Sequence, residues 1–165
     1  MKIARICRHL VSGGAARRLF PDSALDAIQK AIAAGEQRHS EQVCFAIEGA
    51  LPLGQLMNDH AARDRANDAF SHLRVWDTQN NSGVLIYVLV ADHAIEILAD
   101  RGIAARVGEA DWAAICAAMR ERFLAGDFVA GAIEGVNRAN DLLARHFPAD
   151  GTLRENELPD RPVLL

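Results

Sequence analysis

Residues 75–102 read VWDTQNNSGVLIYVLVADHAIEILADRG, and the order of polar and apolar blocks in this stretch decides the fold. Val84 to Ala91 is apolar and rich in β-branched residues, Asp92-His93 has turn character, and Ala94 to Ala99 alternates around Ile95, Glu96 and Ile97. Two strands joined by so short a turn form a hairpin. An antiparallel hairpin returns its second strand to the start of its first, so Asp100 and Arg101 are expected beside the loop Asp77 to Gly83. One polar site is thereby assembled from two separate places in the chain.

Outward from the hairpin, Val43 to Ile47 (VCFAI) is a continuous apolar run, expected as a central strand covered on both faces. Before it, Pro21-Asp22-Ser23 starts a helix with Leu25, Ile28 and Ile32 on one face and a stop at Gly35. Between this strand and the hairpin, Gln55 to His72 carries Leu56, Met57 and Phe70 at helical spacing. It is expected as one crossover helix, long enough to make the two flanking strands parallel with a right-handed connection. Asp111 is expected as the N-cap of a helix carrying Trp112, Ile115, Met119 and Phe123 and ending near Gly126. Asp127 then caps a last helix that turns Val129, Ile133, Val136, Leu143 and Phe147 inward and stops at Pro148. The order αβαββαα predicts an α/β fold, a three-layer α/β/α sandwich around a small mixed sheet. In the last 18 residues (PADGTLRENELPDRPVLL) prolines and charges argue against regular structure, and the closing Val-Leu-Leu is expected to dock on the domain or on a partner.

Length and charge narrow the functional classes. A chain of 165 residues, half of them apolar, suits one globular domain, here spanning 21–147, with a basic segment (1–20) before it and a tail (148–165) after it. Five of the 18 Lys and Arg residues (Lys2, Arg5, Arg8, Arg17, Arg18) lie in the first 20 positions without an acid, so the rest sets 13 bases against all 22 acids. Such a body is a poor nucleic-acid binder. The basic segment interleaves Ile3, Ile6, Cys7, Leu10 and Val11 with its charges. It is either a helix covering the domain's own core or a peripheral contact with an anionic membrane. Cys7, Cys44 and Cys116 are too widely spaced for a CxxC pair, and Cys44 and Cys116 fall in apolar runs that suit buried free thiols. With no apolar run near the ~18 residues of a membrane span and no secretory leader pattern, a cytoplasmic location is the expectation, peripheral at a membrane if the basic segment lies on one.

The run WDTQNNSGVLIYVLVADHAIEILADRGIA, followed by Trp112, by FLAGDF at 123–128 and by a long helix, resembles the TPM domain, also called the TPM phosphatase family, over roughly residues 20–147. The closing NELPDRPVLL is similar to the tail of a short cytoplasmic bacterial branch of that family. The resemblance implies an α/β/α sandwich. For some members it implies acid phosphatase activity and calcium binding; for others, a role as an assembly or repair factor in photosynthetic membranes or as a receptor auxiliary protein. Two positions depart from the family pattern: Ser82-Gly83 stands where Asn-Gly is usual, and Asp92-His93 where Asp-Arg is usual. The first keeps an oxygen ligand but loses carbonyl-like donation, and the second removes a permanent charge.

Asp77, Asn80, Asn81, Ser82 and Asp100 offer oxygens and no sulfur, which suits a hard cation, calcium or magnesium, with Asp77, Asn81, Ser82 and Asp100 as its side-chain ligands. Two carboxylates are few for calcium, so carbonyls and waters would complete the shell. For hydrolysis of a small phosphate monoester, Asp77, Asp100 and Arg101 are the catalytic candidates, Arg101 supplying charge neutralisation. The competing explanation is that these side chains only make turns, cap backbone donors and pair with each other. A non-catalytic module that binds a membrane-associated protein is the functional alternative to a slow phosphatase. Cys116 and Arg122 share the Cys-x5-Arg spacing of tyrosine phosphatases, but the intervening residues contain no glycine and continue a helix. His60 and His72 lack the i,i+4 spacing of a zinc pair, and Trp76 and Trp112 are expected in the core or as walls of the site.

Overall fold

The computed structural model describes residues 2–152 and 155–165. Its elements in chain order are α1 (Lys2–Ser12), α2 (Ala15–Leu19), α3 (Asp22–Glu36), β1 (Gln42–Glu48), α4 (Leu53–Met57), α5 (Ala62–His72), β2 (Gly83–Leu89), β3 (Ala94–Ala99), α6 (Arg101–Ala104), α7 (Glu109–Leu124), α8 (Phe128–His146) and β4 (Val163–Leu164). The sheet order is β3-β2-β1-β4. β1 runs parallel to β2 and β4, and β2 pairs antiparallel with β3. The continuous apolar runs of β1 and β2 are explained by burial of every residue in both strands. Alternate side chains feed two cores. Val43, Phe45, Ile47, Val84, Ile86 and Val88 pack with residues of α3, α7 and α8, whereas Cys44, Ala46, Leu85, Tyr87 and Leu89 pack with Leu56, Ala66 and Ala69 of α4 and α5. The expected α/β/α sandwich and mixed sheet are therefore present, with short elements inserted.

Four expectations need correction. The crossover is not one helix from Gln55 to His72: it breaks between α4 and α5, where Asp59 takes a left-handed φ of 56° that a continuing helix forbids. α7 starts at Glu109 with Gly108 in the cap position, so Asp111 lies inside the first turn, where its charge still suits the helix dipole. The tail is not devoid of regular structure, because Val163 and Leu164 add a short parallel strand opposite Ala46 and Ile47, and the Leu165 amide donates to the Ile47 carbonyl at 2.9 Å. Pro159 and Pro162 lie before this edge strand and cost it no ladder bond. Finally, α1 does not lay its apolar residues on the core: of Ile3, Ile6, Cys7, Leu10 and Val11, only Ile6 packs inward, and the rest are exposed.

A buried polar network locks β1, β2 and α5 together. Glu48 is 3% exposed and accepts both Arg65 Nε at 2.8 Å and Nη2 at 3.0 Å, with the Tyr87 hydroxyl donating at 2.6 Å. Each member satisfies the others, as a buried charge requires. The edges of the sheet are β3 and the two-residue β4, and at β3 Arg63 Nη1 donates to the Ile97 carbonyl at 3.1 Å. Burial pushes the Cys44 thiol up to about 12 and the Cys116 thiol up to about 11, so neither is a nucleophile near neutrality. No helix among the described residues is long and apolar enough to cross a membrane.

Candidate functional site

The loop entering β2 is built around Thr78. Its Oγ1 accepts the Ser82 amide at 2.8 Å and its carbonyl accepts the Asn81 amide at 3.1 Å. This turn puts Asn81 in the left-handed region, φ 51°, which asparagine tolerates better than most residues. The end of β3 meets the loop as the hairpin geometry demands: the Asp100 amide donates to the Gly83 carbonyl at 2.9 Å and the Gly102 amide to the Asn81 carbonyl at 3.2 Å. Arg101 Nε donates to Asn81 Oδ1 at 3.0 Å. Asp100 caps α6, its Oδ1 accepting the Arg101 amide at 2.7 Å, while its Oδ2 is buried without a hydrogen-bond partner among the described residues. Capping absorbs one carboxylate oxygen and leaves the other with an uncompensated desolvation cost.

Asn81, Ser82, Asp100 and Arg101 are thus brought together. Asp77 is not: it is exposed and held by Arg74 in an i,i+3 ion pair. Trp76 is half exposed, its indole N–H donating to the Ser71 carbonyl, and Trp112 is buried along β3, so neither walls this loop. Among the described residues, no three His, Cys, Asp or Glu side chains form a metal-sized group.

Two cavities open beside the loop, with Asn80 lining both. The larger, about 590 Å³, is lined by Ser40, Gln42, Gln79, Ser82, Glu155 and Glu157 among others. The smaller, about 290 Å³, is lined by Glu41, Gly102, Arg106 and Phe147. Sequence reasoning missed the contribution of the tail. Glu157 accepts the Gln79 amide at 2.9 Å, and Gln42 Oε1 accepts the amides of Glu157 and Leu158 at 2.9 and 3.2 Å. The spacing Glu155-Asn156-Glu157 was the available signal, because alternate residues of an extended chain share a side.

On the other side of the tail lies a cavity of about 370 Å³ that includes Glu36, His39, Asp150 and Asp160. Burial pushes the Glu36 carboxyl up to about 7, outweighing the Val43 amide that donates to it at 2.8 Å, and Asp160 adds repulsion. Burial also lowers His39, against the opposing effect of its bonds to Asn140 and the Glu41 amide. At the far end of the sheet, Asp92 in the hairpin turn accepts Arg5 Nη2 at 2.7 Å, Arg8 Nη2 at 2.9 Å and His9 Nε2 at 2.9 Å. Burial alone would raise the Asp92 carboxyl, but Arg5, His9 and Arg8 together hold it well below the usual carboxylate range. His9 Nδ1 accepts the Leu51 amide at 2.9 Å, so this buried Asp-His pair has no free imidazole nitrogen for a general base.

The BA42 protein of the psychrophilic bacterium Bizionia argentinensis, whose structure was solved by NMR, has a similar fold. The match has a TM-score of 0.74 and 29% identity, and covers 86% of this chain and 92% of that one. No curated protein matches the chain. The TPM domain profile matches residues 16–142, a span running from α2 to the last turns of α8 and containing both ends of the hairpin. The chain belongs to the TPM domain family.

Proposed function

We propose that the loop 77–83 and the end of β3 form a weak site for a hard divalent cation, calcium or magnesium, and that this site supports slow hydrolysis of small phosphate monoesters. The observation that carries the reading is Asp100 Oδ2, a buried carboxylate oxygen with no hydrogen-bond partner among the described residues, beside an oxygen-rich loop. An ion there would satisfy it. The loop backbone also runs close to the chain that follows Asp100: a Cβ on Gly102 would stand 2.7 Å from the Asn81 carbonyl oxygen and 2.8 Å from that of Asn80, a close approach that only glycine permits. Asp100, Ser82 and these carbonyls are the residues that would hold the ion, with Asn81 contributing through its carbonyl because its side chain is engaged by Arg101. One carboxylate oxygen and neutral donors make a low-affinity set.

A bound cation would supply neutralisation of phosphate charge and a more acidic water. The chain's own contribution is positional. Arg101, exposed and oriented by Asn81, offers its Nη donors to a phosphate oxygen, and the smaller cavity, which Asn80, Gly102 and Arg106 line, lies beside it. Asp77 enters this reading as an exposed outer carboxylate held by Arg74, which would have to release it before it could reach an ion.

Calcium and magnesium titrations of the full chain, read by thermal shift, test the binding. A dose-dependent rise in Tm that Asp100→Asn removes is expected, since a ligand that binds only the native state stabilises it. Turnover of an aryl phosphate by protein free of contaminating hydrolases tests the chemistry. Activity that survives both chelation and Asp100→Asn would rule the site out.

A further inference from the structure

α1 is amphipathic with its faces reversed. At 100° per residue, Ile3, Ala4, Cys7, Leu10 and Val11 share one arc of the helix, and all five are exposed. Ile3 and Val11 are 78% and 80% exposed. The polar residues Arg5 and His9 point the other way, into the domain, where they and the flanking Arg8 grip Asp92. A surface helix of a globular protein turns its apolar stripe inward, so this orientation leaves the stripe without a partner in the described chain. α4 packs against α1 and adds exposed Leu53 and Met57, the latter 72% exposed. Five of the eight large hydrophobic residues that are exposed among the described residues therefore fall on these two helices, which pack against each other, a concentration that single scattered surface residues do not show.

We infer that this face rests on an anionic lipid surface, with α1 lying in the plane of the interface. Charge selects the occupant. Residues 1–20 contain five bases and no acid. Arg8 flanks the apolar arc, and Arg17 and Arg18 follow on α2, exposed. Asp59, the acid recorded near α1 besides Asp92, lies 4.0 Å from Arg5 Nη1. A second copy of the same face would set base against base, whereas anionic headgroups complement the rim and the acyl boundary takes Ile3, Leu10, Val11 and Met57. The clamp on Asp92 turns the helix so that this face is offered outward, and it leaves the loop 77–83 at the opposite end of the sheet free of the surface.

The experiment is flotation of the full chain with phosphatidylcholine vesicles, with and without about one third phosphatidylglycerol. The protein is expected to float with the anionic vesicles and not with the neutral ones, and added salt should weaken binding through screening. Leu10→Asp is expected to lower binding about tenfold or more by the cost of placing a charge at the acyl boundary, and Met57→Asp, on the other helix, should do the same. Circular dichroism and thermal unfolding check that each variant is folded, and two sites on separate helices keep the test sound if one is not. Absence of flotation with anionic vesicles overturns the inference. So does binding that both variants retain, and so does a concentration-dependent dimer that Leu10→Asp dissolves, which would assign the face to a second copy.

Discussion

Gln42, the first residue of β1, accepts the amide of Glu157 at 2.9 Å and with the same oxygen that of Leu158 at 3.2 Å. One side chain therefore fixes the tail as it passes the candidate site, before the chain reaches β4. Replacing it by leucine leaves two amides unsatisfied, one of them belonging to buried Leu158. Gln42→Leu is expected to cost about 1–3 kcal/mol and to speed hydrogen exchange in residues 157–165 relative to β2. Exchange mass spectrometry resolves the two regions, and equal protection in both proteins would show that the tail is held without Gln42, by ties such as the Glu157 bond to the Gln79 amide and β4.

Asp92 makes an acid-sensitive fastening. Its folded carboxyl lies below its ordinary value of 3.8, so the stability it contributes is present above that value and is lost as pH falls toward the folded value. Asp92→Asn is expected to destabilise by about 2–3 kcal/mol at neutral pH, because it leaves Arg5 and buried His9 without their counter-charge. It should also flatten the loss of Tm below about pH 4. Thermal unfolding between acid and neutral pH reads both effects.

Glu36 has the opposite sign. Its carboxyl is pushed up to about 7 in the folded chain from its ordinary 4.5, so the native state holds the proton more tightly, and stability falls as pH rises between those two values. Glu36→Gln keeps an acceptor for the Val43 amide and removes the charge. The variant is expected to be more stable than the parent at pH 8 by about 1–2 kcal/mol, after allowance for the group's partial exposure, and equal to it near pH 4. Urea unfolding at the two pH values checks this.

Gly83 and Gly102 mark two close approaches of backbone to backbone. A Cβ on Gly83 would clash with the Val75 carbonyl and its Cγ1, whereas one on Gly102 would press on the carbonyls of Asn81 and Asn80 at 2.7 and 2.8 Å. Val75 is buried and Asn80 is exposed, so the first site cannot relax and the second can. Gly83→Ala is expected to cost about 2–4 kcal/mol and Gly102→Ala about 1–2 kcal/mol, measured by denaturant unfolding. A reversed order would mean that the loop, not the core, is the rigid partner.

The hairpin and the central strand were legible because their patterns have a single solution. Eight apolar residues, a turn and an alternating run can be satisfied only by paired strands, and the meeting of Asp100 with the loop then follows from antiparallel geometry. The break at Asp59 was hidden because alanines and Met57 carry the helical period across it, while the left-handed residue that ends α4 has no strong sequence signature. The inverted face of α1 was equally hidden. An amphipathic pattern states that two faces differ, and partners far along the chain, Asp92 above all and the Leu51 amide with it, determine which of them turns inward. The tail's two glutamates could not be assigned to the site until Gln42 was seen to hold them there.

The contact between Arg63 and the Ile97 carbonyl has a consequence for crowded solutions. On one side the chain ends its own sheet with β4, and on the other a guanidinium occupies a position where an incoming strand would place its amide. The guanidinium at one margin, and at the other a strand of only two residues entered from Pro162, guard against ribbon-like growth from one copy to the next. Self-association is thereby steered away from strand exchange, and the molecule can keep a greasy helix on its surface without its sheet seeding fibres.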